Sequence, residues 1–188
     1  RVVVDAIAVL PADLPATEKF GQIRAALKSA HQMIREEAQT RSSTIGATVV
    51  CLVLSDDHFG VLWAGDSRVY RLRDGIIELL TTDHSLVAVL VEAGQLSWDE
   101  AGNHPQANAI TRAVGVGEAL ELDRVHGELQ PGDRFLLCSD GLNKYAPIAT
   151  LGQMISGVPI ETVTDDLIQM VLDRGGADNV SVIVVDVT

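Results

Sequence analysis

Three aspartates in the 188-residue chain lie where an apolar run meets glycine or other small residues. They are Asp66 in Gly-Asp-Ser-Arg, Asp140 in Ser-Asp-Gly and Asp178 in Gly-Ala-Asp-Asn. Carboxylate oxygens are the ligands that hard divalent cations prefer, and the glycines let the backbone approach an ion closely because they carry no Cβ. A single aspartate of this kind is more often a turn residue or a helix N-cap. The prediction of a metal site therefore depends on the three side chains converging.

Strands must provide the frame for these aspartates. Short apolar runs predict strands at residues 49–54, 59–64, 69–72 and 76–80, two more within 125–140, and one within 179–188. The first four are expected to form two hairpins, the second of them closed by Asp74-Gly75, a common two-residue hairpin turn.

Helices are predicted on both sides of the strand-rich part of the chain. The helix within residues 16–40 carries one apolar stripe at steps of three and four: Phe20, Ile23, Leu27, Ala30 and Ile34. Shorter helices are expected at 86–93, after the Ser97/Glu100 capping box, at 148–155 and at 160–173. The predicted fold class is α+β, with antiparallel sheets covered by helices.

Composition narrows the range of functions. The formal net charge is −12, which argues against general nucleic-acid binding because such a surface repels a phosphate backbone. No apolar run approaches the ~18 residues of a membrane span, so we expect no membrane insertion. Cys51 and Cys138 lie in apolar runs and are expected to be reduced, buried side chains. We therefore expect one cytoplasmic domain over residues 1–188. Because the chain opens at Arg1 inside an apolar run without an initiator Met, we also expect residues to precede it.

Several motifs, in their order along the chain, resemble those of the bacterial metal-dependent Ser/Thr protein phosphatases of type 2C, the PPM family. They are GDSR at 65–68, DHS at 83–85, ITRAVG at 110–115, LQPGDRFLLCSDGL at 129–142 and GGADNVSVIVV at 175–185. The resemblance covers about residues 43–187. It implies a sandwich of two antiparallel sheets flanked by helices (α-β-β-α), a flap at about 86–110, and two or possibly three Mn²⁺ or Mg²⁺ ions at one end.

The resemblance also implies roles for individual residues. Asp140 and Asp178 match the aspartates that hold the dinuclear metal centre, and Asp66 matches one that helps to bind a third ion together with Asp140. Gly141 and Asn179 would support the site, Asn179 by orienting Asp178. The implied reaction is hydrolysis of phosphoserine and phosphothreonine on proteins by a metal-activated water. The implied partners are phosphoproteins that a Ser/Thr protein kinase has modified.

One family motif has no counterpart in the chain. It is an Asp-Gly followed by further glycines and a histidine, which normally lies upstream and supplies a bridging metal ligand and the general acid. One alternative is therefore a catalytically inactive phosphatase-like module that binds or regulates a partner. Another is a regulatory phosphatase that acts on anti-sigma antagonists, although the long 86–110 segment favours a general Ser/Thr phosphatase.

Other polar and aromatic residues have simpler interpretations. His84 and His104 are expected to make structural hydrogen bonds rather than to bind metal, and Trp63 and Trp98 to pack in the core and the flap. Arg68 and Arg112 could meet phosphate or form structural salt bridges. The sequence leaves that choice open.

Overall fold

The computed structural model describes residues 1–11, 14–55, 57–101 and 104–188, without the side chains of residues 17, 18, 98 and 99. The helices in this part of the chain are α1 (Val2–Ala8), α2 (Ala16–Thr40), α3 (Leu86–Glu92), α4 (Trp98–Ala101), α5 (Asp140–Asn143), α6 (Ile148–Ile155) and α7 (Ile160–Asp173). The strands are β1 (Val49–Leu54), β2 (His58–Ala64), β3 (Arg68–Arg73), β4 (Ile76–Leu79), β5 (Asp123–Glu128), β6 (Arg134–Cys138) and β7 (Val182–Asp186).

These strands form two antiparallel sheets, ordered β1-β2-β5 and β4-β3-β6-β7. Alternate side chains point to opposite faces of a strand, so each central strand contributes to two cores. Phe135 and Leu137 of β6 face β2 in the space between the sheets, whereas Leu136 and Cys138 point outward. The sandwich inferred from the sequence is confirmed.

Helices cover both outer faces of the sandwich. The predicted stripe of α2 packs on the β1-β2-β5 sheet, where Leu27 and Ala30 are fully buried. Helices α6 and α7 cover the other sheet through a second cluster that includes Leu151, Ile155 and Leu167. The layers are therefore helix, sheet, sheet and helix, as the predicted fold class requires.

The predicted hairpins are confirmed, but the segment 123–138 differs from a hairpin. Asp74 and Gly75 both have positive φ, at 51° and 77°, as a type I′ turn requires. In contrast, β5 pairs with β2 and β6 pairs with β3 and β7. The turn before β6 therefore carries the chain from one sheet to the other instead of closing a hairpin.

The predicted flap leaves the sandwich and returns to it at one place. A β-bridge joins Ser85 to Ile110, and the Leu86 N–H donates to the Ala109 carbonyl at 2.8 Å. Within the segment, the Ser97 hydroxyl and N–H both bond Glu100, which confirms the capping box. Residues 102 and 103 and the side chain of Trp98 lie outside the described part of the chain.

Both cysteines are free, and neither is placed as a nucleophile. Burial raises the pKa of the Cys51 thiol to about 11 and that of the Cys138 thiol to about 12. Both therefore remain protonated packing groups at neutral pH. Among the helices of the described residues, none has the length and apolarity needed to cross a membrane.

Candidate metal centre

Strand β6 delivers Asp140 to one end of the sandwich. The strand is buried up to Cys138, Ser139 is the N-cap, and Asp140 begins the short helix α5. The Ser139 N–H donates to the Ser181 carbonyl and the Ser181 N–H donates to the Ser139 hydroxyl, each at 3.0 Å. These two bonds join the end of β6 to the residues that precede β7, so the loop that carries Asp178 lies beside Asp140.

Gly141 permits this close approach. A Cβ built on Gly141 would lie 2.2 Å from the carbonyl oxygen of Asn179, far inside van der Waals contact. Any side chain at this position would therefore push the 178–179 loop away from α5. Gly141 is therefore needed for the close packing of α5 against the 178–179 loop. This packing sets the position of Asp178 relative to Asp140.

Asp140 and Asp178 converge on one cationic group, the ammonium of Lys144. The Nζ atom lies 2.8 Å from Asp140 Oδ2 and 2.9 Å from Asp178 Oδ2. Because both oxygens contact the same Nζ atom, Asp140 Oδ2 and Asp178 Oδ2 lie no farther apart than the sum of these two distances. The carboxylates raise the pKa of Lys144, Asp140 having the larger effect. The pair expected from the sequence does come together, and the position between its members is occupied by positive charge.

Backbone groups fix the orientation of Asp178. Its Oδ1 accepts the N–H of Asn179 at 2.8 Å, so Asn179 orients the carboxylate through its main chain. Lys144 and this N–H together hold the pKa of Asp178 below its usual range. The preceding loop is fastened to Tyr145, whose hydroxyl accepts the Ala177 N–H at 2.8 Å and whose carbonyl accepts from Arg174.

Asp66 approaches the same place from β2. It follows Gly65, whose φ of +116° and contact with Thr48 leave no room for a Cβ. Burial raises the pKa of Asp66, and the negative charge of Asp140 raises it further. A cavity of about 240 Å³ between the sandwich end and the 86–110 segment is lined by both of these carboxylates, Lys144, and Ala107 and Asn108 of that segment. Asp66 and Asp140 therefore line the same cavity.

The DHS motif supports the loop that carries Asp66. Arg68 makes a bidentate ion pair with Asp83: Nε donates to Oδ1 at 2.8 Å and Nη2 donates to Oδ2 at 2.7 Å. His84 is buried and its Nδ1 accepts the Gly65 N–H at 3.1 Å, while Nε2 meets Asp123 at 3.1 Å. The salt-bridge interpretation of Arg68 is the one that the structure bears out, and His84 is a structural hydrogen-bonder.

Arg112, His104 and Trp63 also make hydrogen bonds within the protein. Arg112 donates to Asp123 at 2.8 Å, and His104 Nδ1 accepts the Gln106 N–H at 3.1 Å. Trp63 is buried and donates to the Thr82 carbonyl at 2.8 Å.

Sequence reasoning missed Lys144, although a usable signal was present. Lys144 follows Asp140 by four residues, the spacing at which opposite charges meet on a helix.

The donor set suits a hard divalent ion, although it is incomplete. Asp140 and Asp178 supply converging carboxylates and Asp66 adds a third nearby, the oxygen chemistry that Mg²⁺ and Mn²⁺ favour. Among the described residues, no three His, Cys, Asp or Glu side chains gather tightly enough to hold an ion alone. Other ligands would have to complete the shell, and Mg²⁺ commonly keeps several waters. The two carboxylates already share one cationic group, the ammonium of Lys144.

Comparisons with known proteins agree with this geometry. The family model described as protein phosphatase 2C matches residues 1–176. The serine/threonine protein phosphatase PstP of Mycobacterium tuberculosis is 32% identical over all of this chain, which spans 37% of that protein's length.

Two solved structures are also similar. PppA, a key regulatory component of the type VI secretion system in Pseudomonas aeruginosa, superposes with a TM-score of 0.92 and 38% identity, over 100% of this chain and 78% of its own. The PstP catalytic domain, in complex with two manganese ions, gives a TM-score of 0.88 and 30% identity, over 100% of this chain and 80% of its own. The chain belongs to the protein phosphatase 2C family.

Proposed function

We propose that this chain serves in the metal-dependent hydrolysis of phosphoserine and phosphothreonine on proteins. The observation that carries the proposal is the convergence of Asp140 and Asp178 on one cation position at the end of the sandwich. Family membership supports the same reaction, and the two manganese ions bound by the related PstP domain support Mn²⁺ or Mg²⁺ as the cofactor.

Each residue of the site has a defined task in this proposal. Asp140 and Asp178 would hold the dinuclear centre, and Asp66 would help Asp140 to bind a third ion. Gly141 keeps the two loops in contact, and the Asn179 N–H keeps Asp178 oriented. When bound, the ions would activate a water and offset the charge of the phosphoryl group.

The surroundings of the site support a phosphorylated protein side chain as the substrate. The cavity between the sandwich and the 86–110 segment is open to an entering group, and its polar lining lies at the candidate metal ligands. The net charge of −12 would repel a phosphate, so bound cations are needed to attract it. We propose phosphoproteins made by a Ser/Thr kinase as partners, and one domain over residues 1–188 with 86–110 as its flap. Cytoplasmic location stays a prediction.

A phosphatase assay tests the proposal. A chain that carries the family's Asp-Gly motif ahead of Arg1 should hydrolyse p-nitrophenyl phosphate and phosphothreonine peptides with added Mn²⁺ or Mg²⁺, and EDTA should abolish the rate. Residues 1–188 alone, which lack that bridging ligand and the general acid, should be nearly inactive. Rapid hydrolysis without metal would contradict the proposal. Binding of phosphopeptides without turnover by the motif-bearing chain would favour the inactive binding module.

A further inference from the structure

The contacts of Lys144 give it a place in the site that no family motif assigns. Its ammonium donates to one oxygen of Asp140 and one of Asp178, the same pair of carboxylates proposed to hold metal. The three side chains are 37%, 35% and 44% exposed, so the ammonium can leave for water without any rearrangement of the core.

The charges around the site explain why a cation is held there. Asp66, Asp140 and Asp178 place three carboxylates at one end of the sandwich, and Asp66 and Asp140 repel each other. The nearby guanidinium of Arg68 is already paired with both oxygens of Asp83, so it contributes little to neutralising the three. Lys144 provides the compensating charge between Asp140 and Asp178.

We propose that Lys144 is an internal counter-ion that occupies the metal position in the metal-free protein and must be displaced when Mn²⁺ or Mg²⁺ binds. A divalent ion held between Asp140 and Asp178 would lie close to the ammonium and repel it, because both carry positive charge and both are attracted to the same two carboxylates. Metal binding and Lys144 release are therefore one exchange. This inference rests on the proposed function of Asp140 and Asp178 as metal ligands.

Two consequences follow from the exchange. Lys144 lowers the affinity for metal, so that occupancy of the site responds to the metal concentration instead of being permanent. In the metal-free protein it also relieves the repulsion between the carboxylates. A purely structural lysine would produce neither the affinity change nor a dependence of its stabilising effect on metal.

Metal binding to purified variants tests the inference. Calorimetric titration of the EDTA-stripped protein with Mn²⁺ alone should show that Lys144→Met binds the ion roughly three- to thirtyfold more tightly than the wild type, as expected for losing two partly exposed ion pairs. Lys144→Arg keeps the positive charge and should stay near the wild-type affinity. Lys28→Met is the matched control, because Lys28 is exposed on α2, which packs on the other sheet.

Thermal unfolding provides a second readout. Without metal, Lys144→Met should unfold at a lower temperature than the wild type, and saturating Mn²⁺ should remove that difference. Equal or weaker Mn²⁺ binding by Lys144→Met, or a loss of stability that Mn²⁺ does not restore, would overturn the inference. So would the absence of Mn²⁺ binding from both proteins. If the affinity is unchanged while the motif-bearing chain still shows metal-dependent hydrolysis, the counter-ion fails and the proposed function stands.

Discussion

The two ends of β6 each carry an aspartate, and the surroundings of the two carboxylates are opposite. Asp133 precedes the strand with its side chain fully buried, and it accepts two bonds of 2.6 Å from Arg73 and one of 3.0 Å from the Gln130 N–H. Asp140 follows the strand, remains 35% exposed, and lies beside two other carboxylates. The same residue type at the ends of one strand therefore serves structure at one end and a candidate site at the other.

The two ends differ in whether neighbouring charges cooperate or conflict. Burial alone would raise the pKa of Asp133, but the Arg73 guanidinium and the Gln130 N–H outweigh burial and lower it. At the other end burial raises the pKa of Asp66, and Asp140 adds to that effect instead of opposing it. A carboxylate whose oxygens are saturated by the protein stabilises the fold. Carboxylates that are crowded together are stabilised by an added cation.

The largest expected effect comes from Asp140→Asn. Removing a ligand shared by the proposed ions should lower kcat of the metal-loaded, motif-bearing chain by about a thousandfold or more. Because the substitution also removes one of three repelling charges, the unfolding temperature of the metal-free protein should stay the same or rise. Steady-state kinetics and thermal unfolding in EDTA measure the two quantities. If Asp140→Asn lost its fold together with its activity, Asp140 would be a structural residue like Asp133, and the proposed difference between the two ends of β6 would be wrong.

Asp133→Asn should act in the opposite sense. Breaking this buried ion pair leaves the Arg73 guanidinium without its carboxylate partner, so the free energy of unfolding should fall by about 3 kcal/mol. The kcat of the molecules that remain folded should be unchanged, because the substitution lies at the far end of β6. Urea unfolding gives the stability. Glu78→Gln is the control, since the Arg71–Glu78 pair is more exposed and its loss should cost less than about 1 kcal/mol.

Gly141→Ala should disturb the contact between the two loops of the site. The added Cβ meets the Asn179 carbonyl, so we expect a loss of about 2 kcal/mol in stability and weaker Mn²⁺ binding as Asp178 moves from Asp140. Gly21→Ala is the comparison, because a Cβ there meets nothing and should stabilise α2 by up to about 1 kcal/mol. Unchanged Mn²⁺ affinity in Gly141→Ala would show that the loop contact does not set the site.

The smallest effect concerns pH in the absence of metal. The pKa of Asp66 is raised in the folded protein, so the folded form binds the Asp66 proton more tightly than the unfolded form does. Proton binding to Asp66 therefore stabilises the fold at low pH, and this stabilisation is lost as the pH rises through the folded-state pKa. The lowered pKa of Asp133 gives the reverse: its contribution is present above the unfolded pKa and is lost as pH falls through the folded pKa. Urea unfolding in EDTA measures the free energy of unfolding of Asp66→Asn and of the wild type at pH 4 and pH 7. The difference, variant minus wild type, should be more favourable to the variant at pH 7 than at pH 4. A relative loss at pH 7 would mean that Asp66 is stabilised by its neighbours.

Local patterns predicted much of this arrangement. The apolar run of β6 and the Asp74-Gly75 turn are local features of the sequence, so both elements could be predicted from it. The separation of β5 from β6 could not, because the partner of a strand depends on which faces the whole chain buries. The ion-pair partners of Arg68 and Lys144 could not be predicted for a related reason. The length of a side chain follows from the residue type, but which carboxylate lies within that distance depends on the fold.

The attachment of the 86–110 segment has a consequence for evolution. The Ser85–Ile110 bridge joins the residue before the segment to the last residue of the segment. The Thr111 N–H donates to the His84 carbonyl at 2.8 Å, and the His84 N–H donates to the carbonyl of Gly65, the residue before Asp66. A segment whose ends meet can be lengthened, shortened or replaced at small entropic cost, since loop closure depends only weakly on length. The 86–110 segment can therefore change in length and sequence during evolution, which alters the surface next to the candidate metal centre, while the sandwich that holds the aspartates keeps its geometry.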